Sequence, residues 1–315
     1  MSEDALLIDV SGDNDVKLAL TQARSRPEQS STYPCHNTAE FTDAVNDFLS
    51  KSSVTHLVGA AIAACGWEQD DDLAMPNESF RIRREWMRDF LKTRRVNLVN
   101  DCVSIAMAVE LLRPDETLRI CGNDGIPSQP KLLIGAFFGL GSAVIIPDDI
   151  NGATILPSEG GHSDLPAITP REKAVLAVME QKFGRVSRER AVSLQGLQEL
   201  WRCVGVLEGL PYEDVSPADI ARRARSGDAR AREAISLCTG WLATTASDAA
   251  LMTGARGGVY LAGSLIDILR DDFDHQAFTT RFQDKGRLTN YISDVPVHII
   301  TAAEPTLIGL SSLFA

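Results

Sequence analysis

No apolar run in this 315-residue chain is long enough to cross a bilayer. The longest, Leu132 to Ile146, spans 15 residues and is broken by Gly135, Gly139, Gly141 and Ser142, whereas a spanning helix needs roughly 20. A basic excess is missing too: 31 Lys and Arg stand against 43 Asp and Glu, a net charge of −12, which excludes the positive field of a general nucleic-acid binder. The six cysteines are scattered. Cys35, Cys65, Cys102, Cys121, Cys203 and Cys238 form no C-x-x-C pair and no zinc-like spacing with the five histidines, so reduced and mostly buried thiols are expected. No basic segment precedes the first apolar run, which starts behind Glu3 and Asp4, and the expectation is a cytoplasmic protein without a secretory signal. What is present, 44% hydrophobic and 23% charged residues, is enough for roughly two globular domains with a sizeable core.

Along the chain, Ala5 to Ile8 and Val16 to Leu20 flank the turn residues Ser11 to Asn14 as a β-hairpin would. Arg26 to Tyr33 reads as a loop, Phe41 to Leu49 as a helix, and His56 to Ala63 as a buried strand. Glu68 and Asp70 to Asp72 read as a solvated acidic loop. From Phe80, the residues Ile82, Trp86, Met87, Phe90 and Leu91 mark an amphipathic helix. Its basic face (Arg81, Arg83, Arg84, Arg88, Lys92) is best explained by solvation. A strand, Val96 to Val99, runs through Asn100-Asp101 straight into a helix, Val103 to Leu112. Pro114 to Glu116 suggests a domain boundary. Strands are expected at Lys131 to Ala136, Ser142 to Pro147, Gly258 to Ala262 and Val295 to Ile300, with helices filling Pro170 to Glu233 and Cys238 to Met252. A helical insertion between strand-rich halves points to a two-domain α/β protein with a cleft.

Three glycine turns sit at expected strand ends: Asp9-Val10-Ser11-Gly12-Asp13-Asn14, Phe138-Gly139-Leu140-Gly141-Ser142, and Gly257-Gly258 with Gly263-Ser264 beyond its strand. Each alone is consistent with an ordinary turn; together they favour a phosphate-binding cleft in which backbone N–H groups face an anion. Leu156-Pro157-Ser158-Glu159-Gly160-Gly161-His162-Ser163-Asp164 concentrates hydrogen-bonding side chains on a flexible loop, where Glu159 and His162 could face one small polyol. Glu189, within Ser187-Arg188-Glu189-Arg190, looks by itself like a surface acid.

The order of these motifs resembles the bacterial, proteobacterial-type glucokinase family of the hexokinase and actin-like ATPase superfamily, over nearly the whole chain. The most specific pieces are Val99-Asn100-Asp101, the Leu156 to Asp164 loop and Val186 to Arg190, supported by Gly257 to Gly263, Phe282-Gln283-Asp284-Lys285-Gly286-Arg287 and Asp294 to Val297. The resemblance implies two ribonuclease H-like α/β domains around a deep cleft, a small one of residues 1–112 with 303–315 and a larger one of residues 113–302. It implies glucose bound by Asn100, Asp101, Glu159, His162 and Glu189. Asp101 would be general base for transfer from MgATP to the sugar 6-hydroxyl, with Asp9 positioning Mg²⁺ through water. The glycine turns, with Asp9, Ser11, Gly12, Asp13, Asn14, Gly139, Gly141, Gly257, Gly258 and Gly263, would hold ATP. A cytoplasmic homodimer without nucleic-acid or membrane partners follows from the same resemblance.

Two phosphate loops depart from the family pattern. Asp-x-Gly-Gly-Thr-Asn becomes Asp9-Val10-Ser11-Gly12-Asp13-Asn14, and Gly-Thr-Gly-x-Gly becomes Phe137-Phe138-Gly139-Leu140-Gly141. A left-handed backbone at Ser11 would cost about 1 kcal/mol. Asp13 puts an anion where a hydroxyl donor stood; two like charges about 5 Å apart at an effective dielectric near 20 repel by roughly 3 kcal/mol. An active glucokinase and a kinase-derived sugar-binding protein with little transfer both remain open. Asp13→Thr is expected to tighten MgATP by about two decades in a calorimetric titration; unchanged or weaker affinity would show that Asp13 does not oppose the phosphates.

Overall fold

The computed structural model describes residues 4–12, 14–23, 25–27, 29–52, 54, 56–69, 72–74, 82–148 and 152–314. The chain divides into two compact units, Met1–Arg113 with Ala302–Ala315, and Pro114–Thr301.

In the first unit, β1 (Ala5–Asp9) and β2 (Asp15–Thr21) form the antiparallel hairpin, in a register that sets Asp9 opposite Lys17. β3 (Ser30–Pro34) lies antiparallel against β2. α1 (Thr38–Lys51) starts at Asn37, whose side chain accepts from the Ala39 and Glu40 N–H groups at 3.0 Å, satisfying donors that a first turn leaves unpaired. β4 (Gly59–Ala64) runs parallel to β1, and a two-stranded ribbon follows, β5 (Trp67–Gln69) with β6 (Asp72–Ala74). α2 (Arg84–Leu91) leads to β7 (Val96–Asn100), parallel to β4, and α3 (Asp101–Ala108) begins at the next residue. The sheet order is β3-β2-β1-β4-β7. β4, with sequence GAAIAA, is buried along its whole length, as a central parallel strand covered on both faces must be. Alternate residues separate two cores: Leu6, Ile8 and Ile62 pack with Phe41, Val45 and Met87, while Leu7, Ala61 and Ala63 pack with Val99, Leu307 and Leu310.

The second unit contains β8 (Thr117–Cys121), β9 (Lys131–Ala136), β10 (Leu140–Asp148) and β11 (Gly152–Ser158). Four helices follow, α4 (Pro170–Phe183), α5 (Leu194–Leu207), α6 (Pro217–Arg225) and α7 (Ala229–Thr253). Then come β12 (Gly258–Ala262), α8 (Ser264–Leu269), α9 (His275–Gln283), α10 (Thr289–Ser293) and β13 (Val297–Ile300). The order β11-β10-β9-β12-β13-β8 repeats that of the first sheet with one strand added, and the same directions recur: two antiparallel pairings, then two parallel ones, with β8 added antiparallel to β13. Both units are therefore α/β and ribonuclease H-like. The second core gathers Leu132, Ile134, Val259 and Leu261 from the sheet with Trp201, Cys238 and Trp241 from the helices.

The chain returns to the first unit as α11 (Pro305–Ser311). It packs against α3 so closely that a Cβ at Gly309 would lie 1.6 Å from the Ser104 carbonyl oxygen.

Elements differ from the sequence reading chiefly at sheet edges. The expected Arg26 to Tyr33 loop gives way to β3 from Ser30, and β8 and β11 are strands where none is expected; all three are edge strands with many exposed residues, so they lack the buried apolar pattern that marks interior strands. The acidic stretch includes β5 and β6, with Asp70 and Asp71 outside the described residues. The amphipathic helix begins at Arg84 because Arg83 is extended; Ile82 precedes it, fully buried, and Phe80 and Arg81 lie outside the described residues. His56 precedes β4, and β13 begins at Val297. All six cysteines are free thiols, three of them buried, and among the described residues no helix is long and apolar enough to cross a membrane. Gly309→Ala is expected to lower stability by about 1–3 kcal/mol through overpacking of α11 on α3, read as a fall in the urea midpoint; an unchanged midpoint would mean that the two helices separate without cost.

Candidate active site

Parallel pairing of β1, β4 and β7 puts their C-terminal ends on one edge of the first sheet: Asp9 is level with Ala63, and Ala63 with Val99. Asp9 and Asp101 are both buried there. Burial pushes Asp9 up from the ordinary carboxylate value, opposed by hydrogen bonds from Ser11 and by the Lys17 charge. Ser11 supplies both its N–H (2.9 Å) and its hydroxyl to Asp9 Oδ1. Burial works against the charge of Lys17, but its contact with Glu304 (3.0 Å) outweighs this and holds it above the usual lysine value. Asp101 is pushed up to about 6, first by burial and further by the Asp9 charge, while the Cys102 N–H on its Oδ1 (2.8 Å) pulls the other way. Asn100 caps α3 by accepting from the Val103 N–H (3.2 Å), and its Nδ2 donates to the Gly66 carbonyl (2.7 Å). Its amide plane is thereby fixed from two sides. Asp13 lies outside the described residues.

In the second unit, Glu159, His162 and Glu189 gather around the start of β10. The 3₁₀ turn Gly160–His162 presses against Leu140, where a Cβ on Gly161 would fall 2.0 Å from the carbonyl oxygen. The Leu140 N–H in turn donates to Glu189 Oε2 (3.1 Å). That same oxygen would be 2.6 Å from a Cβ on Gly139, so the glycine leaves room for the carboxylate. Backbone bonds stitch the segments together, Leu165 N–H to Val186 O (3.0 Å) and Arg188 N–H to Ser163 O (2.9 Å). Glu159 and His162 are exposed, and among the described residues neither side chain has a hydrogen-bond partner. Glu189, a surface acid by sequence alone, is half-buried.

The glycines divide. Gly139, Gly141 and Gly263 sit where β9 ends, β10 begins and β12 ends; Gly263, at φ +113, would place a Cβ 2.2 Å from the Ala136 carbonyl oxygen. Gly258 instead pairs with Lys131 at the opposite end of the same ladder. A Cβ on Gly257 would meet the Gln129 carbonyl oxygen at 2.5 Å, and Gly258, at φ +131, packs on Pro296. Close backbone packing explains this pair, and expecting it beside the other phosphate glycines is corrected on that ground.

A family model for glucokinase matches residues 6–315. The chain belongs to the glucokinase family. It is 36% identical over 302 residues to a glucokinase-like protein of Caulobacter vibrioides (95% of this chain, 93% of that protein) and 34% identical over 311 residues to a glucokinase of Chromobacterium violaceum (98% and 89%). A crystal structure of a glucokinase from an Antarctic psychrotroph superposes with a TM-score of 0.87 at 23% identity, covering 100% of this chain and 99% of that one; this likeness speaks for the fold. Membership of the glucokinase family makes the chain a hexose kinase.

Against the family's first phosphate loop, Ser11 costs no backbone strain. Among the described residues Lys92 is the one non-glycine residue with positive φ, and the Ser11 hydroxyl is turned onto Asp9. Three partners in this region escaped the sequence reading: Glu304, which pairs with Lys17 across 287 positions; Thr306, which bonds Asp9; and Leu140, whose backbone serves both Gly161 and Glu189. No local pattern marks any of them. Gly160-Gly161 was the available hint that a backbone approaches closely.

Asp101→Asn retains an acceptor for the Cys102 N–H and removes the buried charge. Above about pH 6 the native carboxylate is ionised in the folded and unfolded states alike, and the folded state carries the cost. Below the ordinary value of 3.8 both are protonated and the cost is gone. The variant is therefore expected to exceed the native protein in stability by up to about 3 kcal/mol at pH 8, the advantage fading between pH 6 and pH 4. Denaturation at pH 8 and pH 4 checks this, and an equal advantage at both would mean that the charge is not the cause.

Proposed function

We propose that the chain transfers the γ-phosphoryl group of MgATP to the 6-hydroxyl of glucose, giving glucose 6-phosphate and ADP for glycolysis. The observation that carries this reading is Asp101: a buried carboxylate at a strand end, with its pKa pushed up to about 6. Such a group is largely ionised at neutral pH and still holds a proton well enough to accept one from a hydroxyl. The sugar oxygen attacks the γ-phosphorus, the bond to the ADP oxygen breaks, and the hydroxyl proton passes to Asp101. Phosphoryl transfer asks the remaining protein for positioning and charge neutralisation.

Asn100, Asp101, Glu159, His162 and Glu189 are the proposed glucose ligands. The unpartnered Glu159 and His162 side chains support this, as polar groups free to accept from and donate to sugar hydroxyls. Ser11, Gly12, Asp13 and Asn14 beyond β1, Gly139 and Gly141 at the β9–β10 turn, and Gly263 beyond β12 are the proposed nucleotide contacts. Among the described residues no three His, Cys, Asp or Glu side chains gather as a metal site, and magnesium bound with substrate phosphates needs only one or two carboxylates. Asp9 fits that role through water. Mg²⁺ when bound supplies neutralisation of the phosphate charge. The family reading also carries a cytoplasmic location and a homodimer.

A second reading, a sugar-binding protein with little transfer, is favoured by Phe137 and Phe138, which stand where the family pattern has glycine and threonine. A coupled ADP-release assay with glucose and MgATP separates the two. Expected is glucose-dependent turnover that Asp101→Ala lowers by about 10²–10⁴-fold, the range for loss of a general base, with glucose binding still measurable by calorimetry. Glucose binding without turnover in the native chain would favour the second reading; near-normal turnover in Asp101→Ala would remove Asp101 as the base.

A further inference from the structure

Helix α7 presents three polar side chains on one stripe, Trp241, Thr244 and Asp248, spaced i, i+3 and i+7. Trp241 directly, and Thr244 through Arg281 and Glu172, reach residues 166–169, which follow the Leu156 to Asp164 loop, and Asp248 reaches Arg188. Trp241 Nε1 donates to the Pro166 carbonyl (2.7 Å). Thr244 Oγ1 accepts from Arg281 Nε (2.7 Å), and Arg281 Nη2 reaches Glu172 (2.8 Å), whose carboxylate accepts from the Ile168 and Thr169 N–H groups. Asp248 accepts from Arg188 Nη2 (3.0 Å) and from Lys285 Nζ (2.6 Å).

The last of these contacts bears on sugar recognition most directly, because Arg188 immediately precedes Glu189. Its side chain is 10% exposed and Asp248's is 25% exposed. Arg188 Nε is buried without a partner, so among the described residues the guanidinium is anchored by hydrogen bonding through Asp248 alone. Lys285 belongs to the Phe282 to Arg287 motif, for which the proposed function supplies no role. A partly buried ion pair is a poor device for stability alone, since desolvation offsets much of its attraction; what it does well is hold a planar guanidinium in one orientation. At the other side of the same turn, the Glu189 carboxylate has little freedom, bonded to the Leu140 N–H and lying over Gly139. A displaced Arg188 would draw that carboxylate off its mark.

We propose that Asp248, clamped between Arg188 and Lys285, is a positioning residue for hexose recognition: it fixes the turn Arg188–Arg190 and through it the Glu189 carboxylate. This rests on Glu189 being a glucose ligand, and the test separates the two claims. In the full chain, Asp248→Asn is expected to weaken glucose binding, by calorimetry and in KM, by roughly tenfold, the scale of one misplaced hydrogen bond to a charged group. KM for MgATP and kcat should stay within about twofold of native, and the conservative Asp248→Glu should recover part of the loss, a split that general loosening of the fold would not produce. Glu189→Gln alone should weaken glucose similarly, and the double variant should be no worse than Glu189→Gln, because Asp248 acts through that side chain. Native glucose affinity in Glu189→Gln overturns the ligand assignment. Weakened binding in Glu189→Gln with native affinity in Asp248→Asn, or additive losses, overturns the positioning role alone. Should Asp248→Asn fail to fold, Arg188→Lys, which keeps the charge but loses the guanidinium plane, is read by the same criteria.

Discussion

Two carboxylates at the end of one sheet, Asp9 and Asp101, are the constraint around which the first unit is arranged. Parallel pairing of β1, β4 and β7 brings them to the same edge, where burial and their mutual charge raise the cost of ionising Asp101. The neighbours follow from this cost. Ser11 gives Asp9 two hydrogen bonds, Lys17 supplies a compensating positive charge, and Glu304 holds Lys17 from the start of α11. The balance is left incomplete at Asp101, and a strained protonation equilibrium of that kind is what a base working near neutral pH requires.

The second unit carries three of the proposed sugar ligands, Glu159, His162 and Glu189, on loops. It places them with backbone. Leu140 is approached by Gly161 at its carbonyl and donates its N–H to Glu189, so the beginning of β10 sets the spacing of both loops. Helix α7 contacts the segments next to those loops, through Trp241 on Pro166, Thr244 by way of Arg281 and Glu172, and Asp248 on Arg188. Rigid strand and helix are thus used to fix residues that sit on turns, which is how loop-borne sites reach useful precision.

Legibility in the sequence followed burial. Interior strands such as β4 and β9, and the helices α1 and α7, announce themselves because both faces or one stripe are apolar. The edge strands β3, β8 and β11 do not, since exposure removes the pattern. Among the proposed site residues, Asn100 and Asp101 were visible because a strand runs into a helix without a linker. Glycine was ambiguous: Gly257-Gly258 and Gly263 look alike in sequence, and only the ladder puts them at opposite ends of β12. Partners that depend on long-range closure, Lys17 with Glu304 and Arg188 with Asp248, leave no local trace at all.

The return of the chain as α11 has a consequence for synthesis. Leu307, Leu310 and Phe314 supply much of the core on one face of the first sheet, yet they follow Pro114–Thr301 in the chain. A ribosome extending the chain at about 5–20 residues per second delivers the entire second unit before α11 can complete the cover that Val103 and Met107 of α3 begin. Until then Leu7, Ala61, Ala63 and Val99 have no helix α11 to pack against. The part of the chain made first is therefore the part completed last, and the interval is one in which a chaperone would find an apolar sheet face.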